Sequence, residues 1–317
     1  MSNRGGVIMV QIGLHAGQQD ISSDELRKLW RFADEHGFDF LSCWDHFYEA
    51  PPIDGMSDTY EAVALLGAMS VETQNVRLGT HVFCMNYRNP ALLAKSIATI
   101  DHLSHGRIEL GLGAGWHSEE HTAFGYEFPS VKERLDRLEE GIQIIQGMYQ
   151  GDGMSFSGNY YSVADVKLHP RPIQNPIPIV VGGRGEKRTL RLAARYADGW
   201  NVPYIHLEEF ERLSGVLDMW CEKEDRDPTS VERSINLHMH MGATEADGER
   251  IEKERAALFG SRPEQRGGTI IGGPQRAIDR IQHFAETGAQ RVSIAIRPPI
   301  DWDALQAFAE VVIPAVK

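Results

Sequence analysis

What most constrains this chain is an alternation. Eight short apolar runs, around residues 10, 41, 79, 110, 180, 200, 238 and 294, are separated by stretches with helical patterning. Ser22 to His36, Pro90 to Leu103, Val131 to Tyr149 and Leu207 to Lys223 read as helices; Ser22 or Ser23 can cap the first, and Gly37 ends it. Largely apolar strands separated by helices belong to parallel sheets covered on both faces. Eight strands close a barrel, so the sequence predicts a (β/α)8 TIM barrel in preference to an open doubly wound sheet. The 317 residues, 42% hydrophobic, suffice for one large core and read as a single domain. Residues 150–177 and about 243–270 break the alternation and read as surface insertions. F-S-G-N-Y-Y within the first resembles a hairpin.

In such a barrel the reacting groups sit where strands end. The first strand is followed by His15 and the second by Asp45-His46. The third is followed by Thr80-His81-Val82 with Cys84 and Asn86, the fourth by Gly113-Ala114-Gly115-Trp116 and the sixth by Trp200-Asn201. Asp45-His46 reads either as a loop pair capping the next segment or as a site histidine that exchanges a proton, with a carboxylate to orient it. The strand-end position favours the site. Gly113 and Gly115 let backbone approach a flat ligand, with Trp116 as a wall; the G-x-G-x-x-G pattern of a dinucleotide turn is not met.

The fifth strand runs into I-V-V-G-G-R-G-E-K-R-T-L-R-L-A-A-R at 179–195. Gly182, Gly183 and Gly185 bring N–H groups close to a ligand, and a helix N-terminus follows, so the turn is an anion seat. Arg184, Lys187, Arg188 and Arg191 add local positive charge to a chain whose net charge is −13. That contrast points to a small phosphate-bearing ligand and away from nucleic acid or anionic membrane. No apolar run approaches the roughly 18 residues of a membrane span. Cys43, Cys84 and Cys221 are too scattered for a disulfide framework. A soluble, cytoplasmic protein is the expectation. H-S-E-E-H at 117–121 lacks the glutamate of a zinc-protease helix, and His238 and His240, which share a strand face, lack evident further ligands, so no metal is expected. A metal-dependent barrel hydrolase is the remote alternative.

Several stretches resemble the bacterial luciferase-like superfamily, in the branch that uses coenzyme F420. They are L-S-C-W-D-H-F at 41–47, R-L-G-T-H-V at 77–82, Y-R-N-P-A-L-L-A-K at 87–95, D-H-L-S-H-G-R-I-E-L-G-L-G-A-G-W at 101–116, R-L-D-R-L-E-E at 134–140 and the segment 178–201. The resemblance implies an oxidoreductase that moves a hydride between the deazaflavin and a small organic substrate, or alternatively an FMN-dependent two-component monooxygenase. It places Asp45 and His46 beside the ring, His46 handling the proton. A bulge at Thr80–Val82, often with a non-prolyl cis peptide, would lie behind the ring, with Gly113–Trp116 lining it. The glycine loop would take the phosphate, and Arg184, Lys187, Arg188 and Arg88 the anionic tail. His15, Trp200, His238 and His240 are its substrate-side candidates. A homo-oligomer, such as a dimer, fits the resemblance.

Overall fold

In the computed structural model, which describes residues 9–259 and 267–317, eight parallel strands close on themselves. The staves are β1 (Gln11–Ala16), β2 (Phe40–Cys43), β3 (Arg77–Thr80), β5 (Ile108–Gly113), β8 (Ile179–Gly182), β9 (Gly199–Pro203), β10 (Glu232–Met241) and β12 (Arg291–Ile296). β1 pairs with β2 and β12, and β9 with β8 and β10, so the ring is complete. The two-residue β4 (Phe83–Cys84) pairs with the top of β5 just past a bulge. Helices cover the outside, chiefly α1 (Ser23–Glu35), α2 (Ala62–Glu72), α3 (Pro90–Leu103), the short α4 (Ser118–Ala123), α5 (Val131–Gln150), α6 (Thr189–Tyr196), α7 (Leu207–Lys223), α8 (Glu245–Phe259) and α9 (Pro274–Glu286). Their starts follow local chemistry. Ser22, Asn89 and Ser130 accept hydrogen bonds from N–H groups in the first turns of α1, α3 and α5, and Pro90 opens α3 where no N–H is needed.

Period-two alternation sorts each stave into two faces. Ile12, Leu14, Ile235, Leu237, Val292 and Ile294 are fully buried and alternate with Gly13, His15, Asn236, His238, Arg291 and Ser293. The second set lines the barrel interior. Arg291 on β12 bonds Glu109 on β5 at 2.8 Å, and these staves lie opposite one another, so the two side chains meet across the interior. Glu232 joins the ion pair and the Arg291 guanidinium lies 4.2 Å from the centre of the Phe40 ring, which plugs the lower barrel and leaves the upper end open. The inner face is thus more polar than the near-continuous apolar runs imply.

Two expectations are corrected. His15 lies within β1, beside Ser42 and Ala295, because that strand begins at Gln11 and runs to Ala16. The end of the second insertion, read as a surface excursion, runs into β11 (Thr269–Gly272), which pairs with His238–Met241 where β10 outruns β12. Glycines on both sides of T-I-I disguised the strand. The first insertion carries the hairpin β6 (Met154–Ser157) and β7 (Ser162–Val166). Residues 1–8, and 260–266 within the second insertion, lie outside the described residues.

Candidate active site

The open end of the barrel holds a cavity of about 680 Å³. His15, Asp45, His46, His81, Val82, Cys84, Gly113, Ala114, Gly115, Trp116, Gly182, Gly183, Gly185 and His238 line it. Thr80, Arg184, Lys187, Trp200 and His240 do not.

One wall is the bulge between β3 and β4, where the His81–Val82 peptide is cis. Glycines opposite make room for it. A Cβ on Gly113 would stand 2.6 Å from Val82 Cγ2, one on Gly182 2.8 Å from Val82 Cγ1, and one on Gly111 would collide with the Thr80 carbonyl. Thr80 is therefore fully buried beneath the bulge rather than on the ligand side. Asp45 fixes the other end: its carboxylate accepts from the Cys84 N–H at 2.9 Å and from both Arg88 nitrogens, Nε at 3.1 Å. Burial pushes the Asp45 carboxyl above the usual carboxylate range while Arg88 works against it. Arg88, expected on the cofactor tail, is engaged here and with Glu61. Burial also raises the Cys84 thiol to about 12, which keeps it from acting as a thiolate.

His46 has a different kind of partner. Its Nδ1 lies 3.0 and 3.1 Å from the two oxygens of Glu120, a fully buried residue on α4. Glu120 also accepts from Phe47 N–H, Tyr48 N–H and the Tyr87 hydroxyl at 2.9, 3.0 and 2.8 Å. Burial alone would raise its carboxyl; hydrogen bonds led by His46 outweigh that and hold it below the usual range. A carboxylate at Nδ1 assigns the proton to that nitrogen and leaves Nε2 for a ligand. Trp116, 56% exposed, stands edge-on to the His46 ring at 5.2 Å and forms the outer wall. Glu120 is the main residue that sequence reasoning missed. It belongs to H-S-E-E-H, which was weighed as a metal motif rather than as the histidine's support.

The anion seat lies across the cavity. Gly183 has φ +130 and a Cβ there would stand 3.3 Å from Thr189, while a Cβ on Gly185 would come within 2.6 Å of the Thr189 hydroxyl. Backbone and Thr189 form the seat; the expected cations do not. Arg188 pairs with Asp136 and Glu139, Arg191 with Glu224, the exposed Arg184 donates to the Pro203 carbonyl at 2.9 Å, and Lys187 is exposed. Three acidic partners, Asp136, Glu139 and Glu224, explain why a charge-rich segment contributes little charge to the cavity. Arg134, in the R-L-D-R-L-E-E run, lines the cavity instead. It is 8% exposed, lies over Phe128, and its buried Nε has no hydrogen-bond partner.

The inner histidines form the floor. His15 bonds Ser42 at 2.9 Å, and His238 stacks on Tyr204 with ring centres 3.8 Å apart. Burial depresses them all: His15 well below its usual value, His81 to about 3 and His238 to about 4. His240, one strand repeat further on and paired in register with Ile271 of β11, is corrected as a lining residue; burial lowers it to about 4. Trp200 is corrected too. It is fully buried, stacks on Phe210 and donates from Nε1 to the Gly183 carbonyl at 2.8 Å, so it braces the seat from behind while Asn201 faces the cavity. Among the described residues no group of three or more His, Cys, Asp or Glu is arranged to hold a metal ion, and no helix is long and apolar enough to cross a membrane.

Residues 3–291 match the family model described as luciferase-like monooxygenase. An F420-dependent glucose-6-phosphate dehydrogenase from Amycolatopsis mediterranei is 33% identical over 234 residues, which span 73% of this chain and 69% of that protein. The enzyme of the same description from Beutenbergia cavernae is 28% identical over 98% of both chains. Among solved structures, an F420-dependent secondary alcohol dehydrogenase in complex with an F420–acetone adduct superposes with a TM-score of 0.83 over 98% of this chain and 99% of its own; at 21% identity that likeness bears on the fold alone. The extent of the family match, together with the relative at 33% identity, establishes that this chain belongs to the luciferase-like monooxygenase family.

Proposed function

We propose that the protein is an F420-dependent oxidoreductase acting on a small organic molecule in the barrel cavity. The observation that carries the reading is one cavity with a proton-handling histidine on one wall and a backbone anion seat on the other. The close relatives named as F420-dependent enzymes support the same cofactor. The lining fits a flat ring with an anionic tail. Val82, wedged against Gly113 and Gly182, gives the ring an apolar backing, and Gly182, Gly183, Gly185, Thr189 and the unsatisfied Arg134 Nε offer donors to a phosphate.

When bound, F420 supplies a carbon that exchanges a hydride in a two-electron step. The protein's own part is orientation and proton transfer. As a substrate CH–OH loses its hydride, His46 Nε2 takes the hydroxyl proton, and the imidazolium so formed is stabilised by Glu120 at Nδ1. In the reverse direction the same nitrogen returns the proton. Asp45 does not transfer it; with Arg88 and Cys84 N–H it holds the bulge in place. Trp44 and Trp116 limit the access of water. Three buried free cysteines suit a reducing, cytoplasmic setting.

Anaerobic assays with oxidised and reduced F420 against secondary alcohols, aldehydes and sugar phosphates test this reading. Substrate-dependent change in deazaflavin absorbance is expected. Oxygen-dependent product formation with reduced FMN, and no reaction with F420, would replace it with a monooxygenase.

A further inference from the structure

Two arginines line the cavity, and they lie on opposite sides of the ring of staves. Arg134 follows β5, and Arg297 follows β12, four staves away. Elsewhere at the barrel the arginines are neutralised: Arg88 by Asp45 and Glu61, Arg188 by Asp136 and Glu139, Arg291 by Glu109 and Glu232. Arg297 has no acidic partner within salt-bridge distance among the described residues; its side-chain partners are the neutral Gln19 Oε1, at a long 3.4 Å, and the Tyr204 hydroxyl. Asp45 is the acid in the lining, and Arg88 already occupies it. The floor histidines His15 and His238, neutral or cationic, cannot supply a counter-charge. A half-buried guanidinium without a counter-ion is costly unless a ligand supplies one.

The surroundings of Arg297 narrow the ligand. Pro298 follows it, which restricts its backbone towards extended conformations. Its guanidinium lies 5.1 Å from the centre of the Trp44 ring. Trp44 is 5% exposed and its indole N–H has no acceptor, so a second donor waits beside the cation. Tyr204, stacked on His238, closes the other flank. One planar fork plus one neutral donor between aromatic faces matches a monoanion on an apolar body. It lacks the second cation or backbone nest that a phosphate dianion draws on.

We infer that the substrate carries a carboxylate that docks on Arg297 and the Trp44 N–H, at the end of the cavity away from the cofactor's anion seat. This rests on the oxidoreductase reading above, and it separates this chain from relatives named for a sugar phosphate.

The test is calorimetric titration of the F420-loaded protein with three matched pairs: acetate and acetamide, benzoate and benzamide, 3-phenylpropanoate and its amide, with 3-phenylpropyl phosphate added. At least one carboxylate should bind tenfold or more tightly than its amide and no more weakly than the phosphate. Arg297→Met should abolish that preference while F420 affinity and melting temperature stay unchanged, and Arg297→Lys should keep part of it. No preference in any pair, a preference surviving in Arg297→Met, or tighter binding of the phosphate would overturn the inference. Failure of F420 to bind would instead sink the oxidoreductase reading, and the same titrations on the cofactor-free protein would still score the carboxylate site.

Discussion

His46 and His81 stand on walls of one cavity, yet the fold gives them opposite electrostatic settings. His46 has a buried carboxylate at Nδ1, so its charged form has a built-in counter-ion. His81 has both ring nitrogens buried without a hydrogen-bond partner, packs 4.9 Å from Phe40 and faces the Arg291 charge, and is driven to about 3. The same side chain is the proposed proton carrier at one wall and a buried, uncharged surface at the other. What differs is the partner, and the partner comes from α4, a helix of six residues.

Glu120→Gln breaks that difference most directly. The amide keeps the shape but removes the counter-ion, and turnover should fall about 100-fold or more, as loss of a working general acid–base does. F420 affinity should hold within a few-fold. Unchanged turnover would show that Glu120 is only a structural acid.

Gly183→Val should do the reverse. The backbone there lies at φ +130, and the added Cβ meets Thr189, so the seat must open. Cofactor affinity should weaken about tenfold or more, equal to the loss of one charge-assisted hydrogen bond. An unaltered dissociation constant would remove the loop from the site.

The floor histidines yield a pH prediction. Their folded-state values lie below the ordinary 6.5, so the unfolded chain binds more protons between there and about 3 for His81 or about 4 for His238. Their contribution to stability is complete above 6.5 and declines as pH falls, by at most about 1.4 kcal/mol per pH unit for each fully displaced group. Urea unfolding followed from pH 7 downward should show a shallower acid limb in His81→Gln than in the wild type. Parallel limbs would mean that His81 is not the buried neutral group described.

Trp200→Phe is the smallest change. It removes the hydrogen bond to the Gly183 carbonyl and should loosen F420 a few-fold at most, through about 1 kcal/mol. A loss as large as that of Gly183→Val would mean that Trp200 shapes the seat rather than braces it.

The barrel was legible because eight apolar runs separated by helical stretches have few other ways to bury themselves. The glycine-lined walls were legible because the bulge and the seat need close backbone approach. The cations were not. Arg188 and Arg191 look available in the sequence, yet acids far along the chain, Asp136, Glu139 and Glu224, neutralise them. Arg134 and Arg297 look ordinary, and only the fold shows that they line the cavity without a carboxylate partner among the described residues. Glu120 was hidden for a related reason: its partner, His46, is 74 residues away. Local chemistry reads from local sequence, whereas charge pairing depends on contacts that the closed barrel creates.

The central claim is that the cavity binds deazaflavin with its anionic tail on the glycine seat and its reacting end beside His46. Fluorescence titration of the cofactor-free protein with F420 and with FMN, run on wild type, Gly183→Val and His46→Asn together, tests it most directly. F420 should bind more tightly than FMN, Gly183→Val should lose this binding and His46→Asn should keep it. Micromolar binding of FMN with none of F420, or F420 binding indifferent to Gly183→Val, would contradict it.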